Sequence, residues 1–172
     1  MAKITIFGLA GTGTTTVGKL LAARLNAPFM SSGAMFRAKA EELGLSLYEF
    51  VELCNKDDSY NKTLDEQVSD YGKANYHFVF ESRLAWHFIP DSFKVKMVCD
   101  LDTRIKRVAG RDREPFLEKK EKTLFREEAG KRQYEACYGI TDFAPDSAFD
   151  LVLDSSKTTP EALTIEILKH IS

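Results

Sequence analysis

Cysteine is scarce and scattered: Cys54, Cys99 and Cys137 are odd in number and form no CxxC pair. That pattern argues against a disulfide framework or a zinc cluster, and reduced thiols in a cytoplasmic protein are expected. Histidine and tryptophan are equally thin, and His77, His87, His170 and Trp86 stand among apolar neighbours, which suits packing better than metal ligation. No apolar run approaches the roughly 20 residues that cross a bilayer. The chain enters strand-like sequence directly after Met1 and Ala2, so neither a membrane partner nor a targeting segment is expected. Excess basic charge is missing too: 24 Lys and Arg against 26 Asp and Glu give a formal charge of −2, which disfavours a general nucleic-acid binder.

What remains is the composition of one α/β domain spanning residues 1–172, with 44% hydrophobic residues and no internal repeat. Short β-like runs (KITIF, APFM, HFVF, FKVKMV, FDLVL) alternate with longer amphipathic stretches, the pattern of a parallel sheet covered by helices. Two of the runs, FVF and LVL, are continuously apolar, as expected for strands buried on both faces.

The most informative stretch is Gly8 to Thr16, GLAGTGTTT, between KITIF and the helical run VGKLLAARL. Strand, glycine-rich turn and helix start follow the order of a phosphate-binding loop, in which backbone N–H groups and a helix N-terminus converge on one anion. Gly8, Gly11, Thr12, Gly13, Thr14, Thr15 and Thr16 are the candidate contacts, and the Thr15 hydroxyl is the candidate Mg²⁺ position, mostly through water. One residue of GxxxxGK[ST] is lacking, because Thr14 stands at the lysine position. Lys19 lies too far along the helix to replace it, so the missing charge is expected from arginines elsewhere, and a lysine restored at 14 is expected to be tolerated or mildly altering.

Three successive helices without a strand are predicted after Met30, a helical layer or a flap closing over the site. Ser32, Gly33 and Arg37 open this segment at the carboxyl end of a strand, with Gly33 and Arg37 one helical turn apart. Glu81 and Arg83 end the FVF strand at the same edge, where Glu81 is placed to order a Mg²⁺-bound water and Arg83 to hold a phosphate. The run Arg104 to Arg113 carries Arg104, Lys106, Arg107, Arg111 and Arg113. A break predicted around Gly110 to Pro115 puts several guanidiniums on a loop, as an anion clamp built on Arg107, Arg111 and Arg113.

Several motifs together resemble the short, archaeal type of cytidylate kinase within the P-loop nucleoside monophosphate kinases. They are GTTT at Gly13, SSGAMFR at Ser31, ESRLA at Glu81, REEAGKRQYEACYGI at Arg126 and FDLVLDSSKTTPEAL at Phe149. The resemblance implies a five-stranded parallel sheet with helices on both faces. It divides the chain into a core (about 1–30, 77–103 and 148–172), a nucleotide-binding flap (about 31–76) and a basic lid (about 104–140). It further implies ATP and Mg²⁺, a small-molecule nucleotide as partner, a monomer, and CMP or dCMP as acceptor with Arg37 and Arg83 on its phosphate.

Departures are confined to a few positions. Ala34 replaces the archaeal Asp, Ala129 and Gly130 replace a Ser-Glu pair, and the lid-helix arginine falls at Gln133 beside Arg132, which becomes the candidate substitute. Cytosine presents an amino donor where uracil presents a carbonyl, so a matched acceptor is required, and Asp65 is the candidate. A kinase for AMP, UMP or a small metabolite, and a non-catalytic nucleotide-binding module, are the alternatives.

Overall fold

A computed structural model, describing residues 2–171, places five parallel strands in one sheet. These are β1 (Lys3–Phe7), β2 (Phe29–Ser31), β3 (Phe78–Glu81), β4 (Phe93–Val98) and β5 (Leu151–Asp154), in the order β2-β3-β1-β4-β5. Met1 and Ser172, the ends of the expected domain, lie outside the described residues. From β1 the chain crosses to the far edge at β2, and from β3 it crosses back over β1 to β4. The carboxyl ends of β1 and β3, where Ile6 pairs with Glu81, therefore flank the point at which the winding reverses. Ligand crevices of open parallel sheets form at such points.

Alternation along the strands divides the core. Ile4, Ile6, Val79, Val95 and Met97 face Val17 and Leu21 of α1 (Thr14–Leu25) and Leu163 and Ile167 of α8 (Pro160–Ile171). Phe78 and Phe80 face the opposite side, against Val68 of α4 (Ser59–Ala74) and Ala85 of α5 (Ala85–Phe88). Thr5 also points to that side and is fully buried, a position made tenable by a 2.8 Å hydrogen bond between its hydroxyl and that of Ser92.

The three consecutive helices are α2 (Ser32–Glu42), α3 (Leu47–Lys56) and α4. Ser46 caps α3 in a capping box with Glu49, and Gly44 ends the preceding turn at φ +69. Ala40, Phe50 and Cys54 form a small core of their own inside this segment, with Phe36 and Tyr60 packed against it. This separate core ties the three helices to one another. Burial pushes the Cys54 thiol up to about 11, so it remains protonated.

One boundary differs from the sequence expectation. Helix α6 (Leu101–Asp112) continues through Gly110 and Arg111, and only Arg113 to Pro115 separate it from α7 (Phe116–Tyr138). Gly110 costs a helix on the order of 1 kcal/mol, but Val108 and Ala109 beside it are buried and hold the last turn in place. The stop comes from Arg113 in the left-handed region at φ 55, followed by Pro115. Arg111 is thus helical, and Arg113 alone of the three clamp arginines stands in the break.

Candidate active site

The loop from Gly8 to Thr14 is held by its carbonyls. Leu9 O accepts from the N–H and the hydroxyl of Thr12, and Ala10 O accepts from Arg104 at 3.1 Å. Gly11 O accepts from Arg107 at 3.2 Å, and Thr12 O from the Ser155 hydroxyl at 2.7 Å. In a trans peptide the next N–H lies opposite the carbonyl. Carbonyls anchored to α6 and Ser155 therefore turn the N–H groups of Gly11 and Gly13 the other way, beside the N-terminus of α1. Gly8 is obligatory, since a Cβ there would meet the Thr14 methyl at 2.4 Å and the Thr12 hydroxyl at 2.6 Å. Gly11 combines φ +85 with a backbone approach to Arg104 O that a Cβ would reduce to 2.4 Å.

Glu81 sits beneath the start of α1. It accepts from Thr14 Oγ1 at 2.5 Å and from Thr15 Oγ1 at 2.8 and 2.9 Å. Thr14 is 7% exposed in this slot. A lysine at 14 would lose the hydroxyl's bond to Glu81 and would need room beyond this slot. Thr15 and Thr16 are exposed in the first turn, and Lys19 is exposed farther along the helix.

The basic run of α6 is divided by what lies opposite each side chain. Arg104, 5% exposed, pairs with Glu127 at 2.6 Å and supports Ala10. Arg107 bridges Gly11 O and Ser155 O, the latter at 2.8 Å. Arg111 is held by its neighbour Asp112 at the end of α6, which bonds both Arg111 at 2.7 Å and Lys119 of α7 at 2.5 Å. Those partners hold the Asp112 carboxyl well below the usual carboxylate range.

A crevice of about 40 Å³ lies between Ala10 of the loop, Val108 and the α7 face, and it collects Arg83, Arg111, Lys119 and Arg126 against the single carboxylate of Asp112. Arg126 is exposed as a residue, yet the surrounding protein desolvates its guanidinium, and the charges of Arg83 and Arg111 push its pKa down further. Arg83 lies beside Tyr134, whose hydroxyl its charge influences, and beside Gly130, whose Cβ would lie 3.2 Å from Arg83 Nη1. Gathering like charges at the mouth of a phosphate loop is unfavourable without an anion and favourable with one.

On α2, the Arg37 guanidinium lies over Gly33, where a Cβ would be 3.4 Å from Nη1. The Ser32 hydroxyl is buried without a hydrogen-bond partner at the start of α2. Asp65 accepts from the Tyr138 hydroxyl at 2.5 Å, and burial pushes its carboxyl up to about 6 against that hydrogen bond. Three expected arginines are not gathered in. Arg107 is held on the Gly11 and Ser155 carbonyls. Arg113 is exposed at the end of α6, and Arg132 is exposed on α7, two residues and therefore about 200° of helix from Gly130.

Sequence reasoning missed Arg126, Tyr134, Tyr138 and the role of Glu127. The signal was present: Lys119, Thr123, Arg126, Glu127, Gly130, Tyr134 and Tyr138 recur at helical spacing and share one face of α7. Among the described residues no cluster of three or more His, Cys, Asp or Glu suits a metal, and no helix is long and apolar enough to cross a membrane.

Residues 3–157 match the model of the cytidylate kinase-like family. The chain belongs to that family. A cytidylate kinase of Methanobrevibacter smithii is 36% identical over 165 residues, covering 96% of this chain and 95% of its own. A cytidylate kinase of Methanococcoides burtonii is 34% identical over 168 residues, covering 98% and 95%. Among solved structures, a shikimate kinase of Bacteroides thetaiotaomicron superposes with a TM-score of 0.68 at 14% identity, covering 99% of this chain and 98% of that one. An uncharacterized protein of Eubacterium ventriosum superposes at 0.69 with 19% identity, covering 99% and 98%. These superpositions establish the P-loop kinase fold. In the structure, the lack of a side chain at Gly130 leaves room for the Arg83 guanidinium.

Proposed function

We propose that the chain phosphorylates CMP and dCMP with ATP. The observation that carries this reading is the convergence of Arg83, Arg111 and Arg126 beside the anchored phosphate loop. The family relationship supports a cytidylate acceptor. An oxygen of the acceptor's 5′-phosphate attacks the γ-phosphorus of ATP, the bond from that phosphorus to the β,γ-bridging oxygen breaks, and CDP and ADP result. The nucleophile needs no catalytic base, because a phosphate monoester with a second pKa near about 6 is largely dianionic at neutral pH. The protein's task is to bring two polyanions together and to neutralise charge in the transition state.

In this arrangement the amides of the Gly8–Thr16 loop and α1 hold the ATP phosphates. Arg111 and Arg126 reach the transferring group, while Arg83, Arg37 and Ser32 hold the acceptor phosphate. Arg107 serves the loop from its outer side. Thr15 and Glu81 are an all-oxygen donor set suited to Mg²⁺, which when bound neutralises charge on the donor phosphates. Asp65 faces the base, where its carboxylate accepts from the cytosine amino group. The free cysteines support a cytoplasmic enzyme, which we take to act as a monomer.

The test is acceptor-dependent ADP production measured with CMP, dCMP, UMP and AMP. Turnover highest with CMP or dCMP is expected. Turnover highest with UMP or AMP would reassign the acceptor, and none with any of the four would favour a nucleotide-binding module.

A further inference from the structure

Arg104 and Glu127 form the most deeply buried ion pair among the described residues, each with a side chain 7% exposed, and Arg104 spans three elements at once. Its Nη1 bonds Glu127 Oε1 at 2.6 Å and Ala10 O at 3.1 Å, while its own backbone is the surface against which Gly11 packs. Replacing a buried pair by well-packed apolar side chains is often neutral or stabilising, so stability alone gives a weak reason for one here. The Ala10 carbonyl supplies another. Without the usual lysine, the loop depends more heavily on its amides, and a peptide free to rotate would present the Gly11 N–H to the phosphate only part of the time. Glu127 also follows Arg126 directly, so one turn of α7 carries both a crevice cation and the anchor of the loop.

We propose that Glu127 is a positioning residue for ATP: it clamps Arg104, which holds the Ala10 carbonyl and so aims the Gly11 amide at the donor phosphates. The proposal rests on the reading of Gly8–Thr16 as the ATP site, and it goes beyond that reading by giving the lid helix a direct hold on the loop. ATP affinity then depends on a carboxylate that touches no substrate, whereas acceptor affinity does not.

The experiment compares R104M/E127M and Glu127→Gln with the parent by calorimetric titration of ATP and, separately, of CMP, alongside melting curves. The double variant removes the pair without leaving a lone buried charge, so it is expected to melt no lower than the parent while its ATP Kd rises at least about tenfold. Glu127→Gln keeps an acceptor for Arg104 but loses its charge, and an ATP Kd raised about threefold or more is expected. Should the double variant fail to fold, Glu127→Gln decides by the same criterion. In both variants the CMP Kd should remain within about twofold of the parent, below the size of one lost hydrogen bond. A folded variant that binds ATP as tightly as the parent, or one in which ATP and CMP weaken alike, would overturn the proposal. A parent that bound no ATP would overturn the reading of the loop itself and the proposal with it.

Discussion

The Tyr138 hydroxyl donates a 2.5 Å hydrogen bond to Asp65 Oδ2, joining the last turn of α7 to α4. Rings of Phe88 and His87 lie 5.2 and 6.4 Å from the Tyr138 ring, which fixes the phenol in place. The Asp65 carboxyl is desolvated, and no cation pairs with it among the described residues. A half-buried, unpaired carboxylate is costly to a fold and useful to a binding site.

Asp65→Asn should therefore stabilise the protein at neutral pH while weakening its base preference. The folded pKa of about 6 lies above the ordinary 3.8, so the favourable neutral form is fully present below about 4 and is lost as pH rises through 6. The variant should gain about 3 kcal/mol relative to the parent above that window and little below it, as measured by urea denaturation at about pH 3 and pH 7.5. Its amide can donate to uracil O4, so the ratio of kcat/KM for CMP over UMP should fall about tenfold or more at pH 7.5. In the parent the same ratio should fall on acidification below 6, as the carboxylate becomes a donor. An unchanged ratio in both tests would remove Asp65 from base selection.

Arg126→Met should separate charge from packing. Truncating the guanidinium relieves repulsion from Arg83 and Arg111, so melting should be unaffected or slightly raised. Turnover should fall about 100-fold or more, the size of losing one transition-state donor. A variant with normal kcat would exclude Arg126 from the chemistry.

Gly130→Ala makes two effects oppose each other. Alanine favours the helix by about 1 kcal/mol, yet its Cβ would sit 3.2 Å from Arg83 Nη1 and displace the guanidinium. A higher melting temperature with a raised KM for the acceptor is expected, and unchanged kinetics would show that Arg83 relaxes freely.

Glu81→Gln retains the size of the side chain that the Thr14 and Thr15 hydroxyls contact and removes its charge. Half-saturation by Mg²⁺ should rise about tenfold or more, with the fold intact by circular dichroism. An unchanged Mg²⁺ dependence would leave Glu81 as a brace for the hydroxyls only.

Much of this architecture was legible in the order of residues because its causes are local. Asn26 at φ 50, the Ser46–Glu49 capping box and the Thr159 cap of α8 are read from single residues and their near neighbours. The break after α6 was misplaced because Gly110 is a poor helix residue by propensity, and only the burial of Val108 and Ala109 against distant parts of the chain overrides it.

The sequence by itself determined the alternation of strands and helices, the phosphate loop and its missing lysine, since periodicity and turn chemistry act over a few residues. Tertiary structure decided what each arginine does. Arg104, Arg107 and Arg111 share one face of α6 at spacings of three and four residues, so no local rule distinguishes them. Glu127 opposite Arg104 makes one a buried strut, and the Gly11 and Ser155 carbonyls make the next a loop anchor. Asp112 and the crevice shared with Arg83 and Arg126 set the surroundings of the third. A guanidinium carries the same charge in all three places, and its role follows from the acceptors and cations that the fold sets around it.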